Sequence, residues 1–294
     1  MSLQTPPAAS RPAAYERPAG LTRALELRAD PAFRILGGAT DLFAMTEARE
    51  LAGPLLDVTA VEEMRALTFG PDGMRIGAAV TWAEIARAQL PPACDGLRAA
   101  ARQVGSAQIQ SRGTVGGNLV NASPAADGVP PLLTLEAEVE LASLRGARRL
   151  PLSQFLLGVR RTALAEDELL VSLHIPAAAL EGQGAFEKLG ARAHLVISIA
   201  MVAARIEVAH GHIASAALAV GACSPVAQRL PALEAALKGA PLSALPDAGA
   251  FAQLTASALS PIDDVRADAG YRLAAAPELA RRAVLACAAS LETV

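Results

Sequence analysis

The sequence predicts an α+β fold in two parts, and three observations carry that prediction. Residues 1–176 mix short strand-like runs with short helices. Residues 177–184 then change composition to Ala, Glu and two Gly, and beyond them three strand-like runs precede a run of helices. Strands followed by helices that pack on them make this part α+β. With 294 residues and 52% hydrophobic content there is ample apolar material for a core, and the length suits two domains or one large one. Only 3% of residues are aromatic and much of the apolar fraction is Ala. Packing is therefore expected to rest on close contacts between small side chains, and each aromatic residue becomes more informative.

The elements follow in chain order. After a Pro- and Ala-rich lead over residues 1–20, residues 21–27 read as a helix, and Arg34-Ile35-Leu36 as a short strand that runs into Gly37-Gly38. Ala39-Thr40-Asp41 then opens a helix. Residues 55–61, 65–69 and 74–80 look like strands, Thr81 can cap a helix over 82–90, and Asp95 can cap another running to about Val104. Residues 113–127 read as a polar, glycine-bearing loop, 129–135 as a helix, and 137–144 and 169–175 as alternating strands, the last closed by Pro176. The shift at 177–184 is taken as a linker and the main boundary. Beyond it, 185–189, 196–208 and 212–220 are expected as three strands, with His210-Gly211 as the tight turn between the last two. Helices over 231–238 with Gly239 as a stop, over 245–258, and over 277–291 complete the chain.

Bulk properties exclude several function classes. A formal net charge of −3, without any basic stretch interleaved with aromatics, argues against nucleic acid. The longest apolar run, residues 195–204, is half of the roughly 20 residues a spanning helix needs and is expected as a buried strand. The lead has no apolar core of a secretory signal, so a cytoplasmic location is expected. Cys94, Cys223 and Cys287 lie far apart, without the spacing that holds zinc or an iron–sulfur cluster, and the four histidines show no ligand pattern. Any metal centre is expected on another chain, and no side chain is singled out as catalytic.

Two segments look built for an anion. The only two asparagines, Asn118 and Asn121, fall in one stretch from Gly113 to Asp127 that also carries Thr114, Gly116, Gly117, Ser123 and Pro124. Paired glycines allow φ > 0 and close approach to a ligand, while short polar groups bond locally or to an oxygen-rich guest. Gly37-Gly38, between a strand and a helix with Thr40 and Asp41 following, forms a second such loop. Two loops suit the two phosphates of a diphosphate. The bland alternative for Gly37-Gly38 is a turn that needs glycine sterically. Neither loop matches G-x-G-x-x-G or a Walker A sequence, which disfavours Rossmann and P-loop sites. Only two of the 26 basic residues are Lys. Lys238 beside Gly239 reads as a helix-end charge, whereas for Lys188 an exposed strand lysine and an ammonium facing an anion both stand.

At these residues the chain resembles the flavin-binding medium subunits of molybdenum hydroxylases, the xanthine dehydrogenase and carbon monoxide dehydrogenase family, over nearly its whole length. Ile35-Leu36-Gly37-Gly38-Ala39-Thr40-Asp41-Leu42 is similar to that family's first FAD diphosphate motif. Thr114-Val115-Gly116-Gly117-Asn118, with Ala122-Ser123-Pro124 and Asp127, is similar to its second. The resemblance implies a two-subdomain FAD-binding fold of the vanillyl-alcohol oxidase or PCMH type over residues 1–176, with subdomains of about 1–57 and 58–176. A small C-terminal domain of a three-stranded sheet plus helices, of the carbon monoxide dehydrogenase flavoprotein type, would occupy 185–294.

By the same resemblance Val120 belongs to the cofactor-binding set, Asp127 contacts the FAD nucleotide portion, Leu170 lies against the isoalloxazine ring and Lys188 sits near the flavin. Val104 stands where some members carry an aromatic beside the flavin, and Gln110-Ser111 where members commonly carry Arg-Asn. The implied function is that of an oxidoreductase subunit. Substrate is oxidised at a molybdenum cofactor on a large partner, electrons pass two [2Fe–2S] clusters on a small partner, and FAD here hands them to an external acceptor, in a dimer of heterotrimers. Rival readings are a self-sufficient FAD-dependent oxidoreductase of the same fold and a flavin-free structural subunit. Retention of both glycine loops and the lack of an acid/base constellation speak against them.

Overall fold

The structure, a computed structural model, describes residues 14–47, 51 and 53–292. The N-terminal part of the Pro-rich lead, residues 1–13, lies outside them. Strand β1 (Tyr15–Glu16), helix α1 (Leu21–Arg28), strand β2 (Arg34–Leu36), helix α2 (Thr40–Ala44) and strand β3 (Leu55–Asp57) form the first unit. Its strands make a parallel three-stranded sheet in the order β1-β3-β2. The strand expected over 55–61 stops at Asp57, whose carboxylate accepts from the backbone N–H of Thr59 and starts a 3-10 turn, Val58–Ala60. A short Asp side chain bonding two residues ahead competes with strand pairing, which is why the strand ends there.

Strands β4 (Leu67–Gly70) and β5 (Gly73–Gly77) lead to helices α3 (Trp82–Arg87), α4 (Asp95–Gln103), α5 (Ala107–Arg112), α6 (Val115–Asn121) and α7 (Val129–Thr134). Thr81 caps α3 in a full capping box with Glu84. Asp95, by contrast, is the first residue of α4 rather than its cap, and its carboxylate pairs with Arg98 and accepts from Gln183. Strands β6 (Glu138–Ser143) and β7 (Gly146–Pro151), the single turn α8 (Leu152–Phe155), the small hairpin of β8 (Leu156–Gly158) and β9 (Arg161–Thr162), and β10 (Leu169–Pro176) complete this half. Five of these strands form an antiparallel sheet in the order β4-β5-β10-β6-β7. Met74, Ile76, Val139, Leu141, Leu173 and Ile175 send one face of it into a large core closed by Trp82, Leu97, Leu119 and Leu132.

The second half carries β11 (Gln183–Leu189), β12 (Ala200–Ala209), β13 (His212–Gly221) and β14 (Gln228–Arg229) in one antiparallel sheet, in that order. The three expected strands are joined by β14, two residues long and too short to show a period in the sequence. His210 and Gly211, both at positive φ (53° and 75°), make the turn between β12 and β13. Helices α9 (Pro231–Leu237), α10 (Ala248–Ala256) and α11 (Ala269–Glu292) follow. Gly239 at φ 84° stops α9, as expected. Helix α11 starts eight residues before Pro277 and runs through it, with Ala276, Ala280, Ala283 and Val284 buried against the sheet. That packing outweighs the one backbone donor lost at proline.

The halves are joined by small-residue contacts. A Cβ on Gly96 of α4 would lie 2.7 Å from the Ala185 carbonyl oxygen, and one on Gly184 would lie 2.2 Å from that of Ala93, so α4 rests directly on β11. Among the described residues no helix is long and apolar enough to cross a membrane. No group of three or more His, Cys, Asp or Glu among them could hold a metal ion.

Candidate functional site

The sequence-predicted residues converge on one cleft of about 820 Å³ between the first unit, the helices α4 to α6 and the segment after β11. Its wall includes Ile35, Gly37, Gly38, Ala39, Thr40, Asp41, Leu42, Val104, Thr114, Gly116, Gly117, Asn118, Val120, Ser123, Asp127 and Leu170. Two expected residues are elsewhere. Leu36 alternates away from Ile35 and is buried in the core, as period-two strand geometry demands. Lys188 lies buried behind the wall, its Nζ 2.6 Å from Asp127 Oδ2 and 3.2 Å from the Gln103 carbonyl oxygen, so it is no exposed strand lysine but an ammonium facing a carboxylate of the wall. Gln110 and Ser111 do not line the cleft; the Gln110 amide donates to the Arg102 carbonyl at the end of α4, and the Ser111 hydroxyl to the Ala107 carbonyl of its own helix.

The glycine pairs do not work as expected. None of Gly37, Gly38, Gly116 and Gly117 has positive φ; the left-handed residues here are Ala39 (φ 58°) and Ala122 (φ 45°), at the start of α2 and the end of α6. The glycines serve close approach instead. A Cβ on Gly37 would meet Thr114 Oγ1 at 2.8 Å, one on Gly38 the Arg112 carbonyl oxygen at 1.8 Å, and one on Gly116 the Ala78 Cβ at 2.6 Å. Steric need and a place at the cleft thus coincide at Gly37-Gly38, where its loop abuts the second one.

The two loops offer different chemistry. The expected second loop is largely the helix α6, capped by Thr114. Its first-turn donors are already used: Val115 N–H to the Val80 carbonyl, Gly116 N–H to that of Ala78, Gly117 N–H to Thr114 Oγ1 at 3.0 Å and Asn118 N–H to the Thr114 carbonyl. In the first loop, the backbone N–H groups of Gly38, Ala39, Thr40, Asp41 and Leu42 donate to no other described residue. Free backbone donors at a loop-to-helix entry are what an anionic oxygen seeks. Asn118 adds a buried Oδ1 without a hydrogen-bond partner among the described residues.

Other wall residues were not singled out from sequence. Trp82, the single tryptophan, lines the cleft; its rarity and its place after the capping Thr81 were the available signal. Leu195, Val196 and Ile197 also line it, although a buried strand was expected there; the strand begins only at Ala200, and Leu195 and Ile197 are exposed. Leu195 sits at φ 53°, with its carbonyl accepting from the Arg192 guanidinium, so the chain here is a loop and not a strand. A register shift between Leu170 and Ser172 interrupts the pairing of β10 with β6, and both Leu169 and Leu170 reach the cleft.

Charge at the wall is mostly compensated. Burial pushes the Asp127 carboxyl up, against the pull of the Lys188 ammonium and the Ser198 hydroxyl. The bidentate Arg148 guanidinium holds Glu168 below the usual carboxylate range. Arg160, at φ 56°, donates to the Asn121 carbonyl from the wall. Burial pushes the three thiols up, Cys94 and Cys287 to about 12 and Cys223 to about 11, which leaves no nucleophile among them.

Comparison with known proteins agrees with this geometry. Residues 9–178 match the family model described as the FAD binding domain in molybdopterin dehydrogenase, and residues 185–287 the one described as the CO dehydrogenase flavoprotein C-terminal domain. The xanthine dehydrogenase FAD-binding subunit of Escherichia coli O157:H7 is 32% identical over 89% of this chain and 91% of its own. The nicotine 6-hydroxylase medium subunit of Paenarthrobacter nicotinovorans is 32% identical over 92% and 95%. Among solved structures, carbon monoxide dehydrogenase from Hydrogenophaga pseudoflava superposes with a TM-score of 0.85 at 27% identity, over 95% of this chain and 98% of the other.

Proposed function

We infer that this chain, which belongs to the FAD-binding family of the molybdopterin dehydrogenases, is the flavoprotein subunit of a molybdenum-containing hydroxylase, the outlet by which electrons leave that complex. The observation that carries the reading is the cleft itself: a row of five backbone donors, Gly38 to Leu42, unused among the described residues, faces a helix whose Gly116 and Gly117 leave the wall without side chains. The residues fit FAD. The donors and Thr40 suit the diphosphate, the unpartnered Asn118 Oδ1 and the Asp127 carboxylate suit hydroxyls of the ribose and ribityl chains, and Val104, Leu169 and Leu170 suit an apolar ring. Bound there, FAD supplies reversible one- and two-electron chemistry. The chain's own task is to hold the dinucleotide, keep its ring in an apolar wall and tune it.

The relatives are subunits of larger enzymes, and a large molybdenum-cofactor subunit and a small [2Fe–2S] subunit are the partners that this reading requires. A dimer of such heterotrimers in the cytoplasm, with NAD, a quinone or oxygen as acceptor, extends the proposal. So does the division of the chain at 177–184, into a nucleotide-holding part over 1–176 and a second part over 185–294. The test is direct: the purified chain should be yellow, with a flavin spectrum that bleaches on reduction, and should co-purify with both partners when they are co-expressed. A colourless protein that takes up no added FAD sinks the reading.

A further inference from the structure

Asp127 is the meeting point of three separate stretches of cleft wall, and we propose that Lys188 and Ser198 are positioning residues that hold its carboxylate ionised and aimed at the ligand. This rests on the flavin reading of the cleft. Asp127 Oδ2 accepts from Lys188 Nζ at 2.6 Å and Oδ1 accepts from Ser198 Oγ at 2.6 Å. Lys188 Nζ also donates to the carbonyl of Gln103, the residue before Val104, Gly105 and Ser106 of the wall. Ser198 follows Leu195, Val196 and Ile197 of the wall, and Ile199 is fixed in turn by backbone bonding to Leu189 and by the Arg272 guanidinium. One ammonium and one hydroxyl thereby tie the end of α4, the strand β11 and the loop before β12 to a single carboxylate.

The Lys188 side chain is 4% exposed, and an ammonium so buried is costly unless paired. Each carboxylate oxygen has two acceptor sites, and the protein uses one on each, which leaves one on each for ligand hydroxyls. That role needs the anion. Burial pushes Asp127 toward its neutral form and Lys188 opposes it. Other charged groups nearby are engaged elsewhere: Arg160 with the Asn121 carbonyl, Glu168 with Arg148, Arg192 with the carbonyls of its own loop, and Arg272 with Asp264. Asp41 belongs to the first loop of the same cleft, and His194 sits in the exposed loop.

The test is FAD affinity of the purified full chain against pH, read by flavin fluorescence, for the wild type, K188M and S198A. Affinity falls as pH drops through the Asp127 pKa of the unliganded protein. K188M removes the opposite charge and should move that midpoint up by about one pH unit or more, and S198A should move it up by less. A midpoint unmoved in K188M, with only thermal stability lowered, makes Lys188 a structural brace and overturns the proposal. If K188M does not fold, S198A decides: an upward shift upholds the proposal and an unmoved midpoint overturns it. A wild type that takes up no FAD at any pH overturns the flavin reading and this inference with it.

Discussion

Replacing Gly117 by Leu separates binding from folding at the cleft. Gly117 is exposed at the third position of α6, and a Cβ there would meet one neighbour, Thr114 Oγ1, at 2.8 Å. For the fold two effects oppose each other. A helical Gly gives up roughly 0.5–1 kcal/mol relative to Ala, which the substitution recovers. Pushing the Thr114 hydroxyl away from the Gly117 N–H loses a cap worth about 1 kcal/mol. Net stability should change by less than about 1 kcal/mol. For the ligand there is no compensation, because the new side chain stands where the wall is bare. Overpacking a fitted contact costs ~1–3 kcal/mol, which converts to roughly five- to 140-fold weaker FAD binding. Flavin content by absorbance, beside thermal unfolding by circular dichroism, reads both. A G117L protein that melts like the wild type and keeps its FAD refutes the placement of the dinucleotide against α6.

Gly38→Ala should fail differently: its Cβ would stand 1.8 Å from the Arg112 carbonyl oxygen, and backbone cannot yield cheaply, so a loss of ~3 kcal/mol or more is expected in chemical denaturation. FAD titration should quench the emission of Trp82, the single tryptophan and part of the cleft wall, and unchanged emission at saturation would place the flavin elsewhere. Arg148 holds Glu168 below its ordinary value, so the stability it contributes is full above about pH 4.5 and is lost as pH falls through the lowered folded value. The stability gap between wild type and R148A should therefore close in acid, and a gap constant from neutral pH into acid would refute the linkage. A thiol reagent at pH 8 should label none of the three buried cysteines until the protein unfolds.

Most of the elements were legible because their signals are local. Thr81 with Glu84 three residues on marks a helix start, and the alternation of Glu138 and Glu140 with Val139 and Leu141 marks a half-buried strand. His210-Gly211 and Gly239 mark stops that depend only on backbone conformation. Elements set by distant contacts were read less well. Residues 195–199 are as apolar as a buried strand, yet the pairing of β12 starts at Ala200, and the segment before it turns to the cleft. Pro277 reads as a helix start, yet the packing of α11 on the sheet carries the helix through it.

The same division holds at the site. By itself the sequence determined which residues gather there: an unusual concentration of Gly, Asn, Thr, Ser and Asp in two short stretches, and the family they belong to, are properties of residue identity and order. Only the tertiary structure decided what each does. Gly37, Gly38 and Gly116 answer to neighbours 38 to 77 positions away, Thr114, Arg112 and Ala78, and so serve approach rather than φ > 0. The second glycine pair spends its amide donors inside the protein, while the Gly38 amide of the first donates to no other described residue. Lys188 meets Asp127 across 61 positions of chain. Distances of this kind depend on how separate elements pack, and no spacing along the chain encodes them.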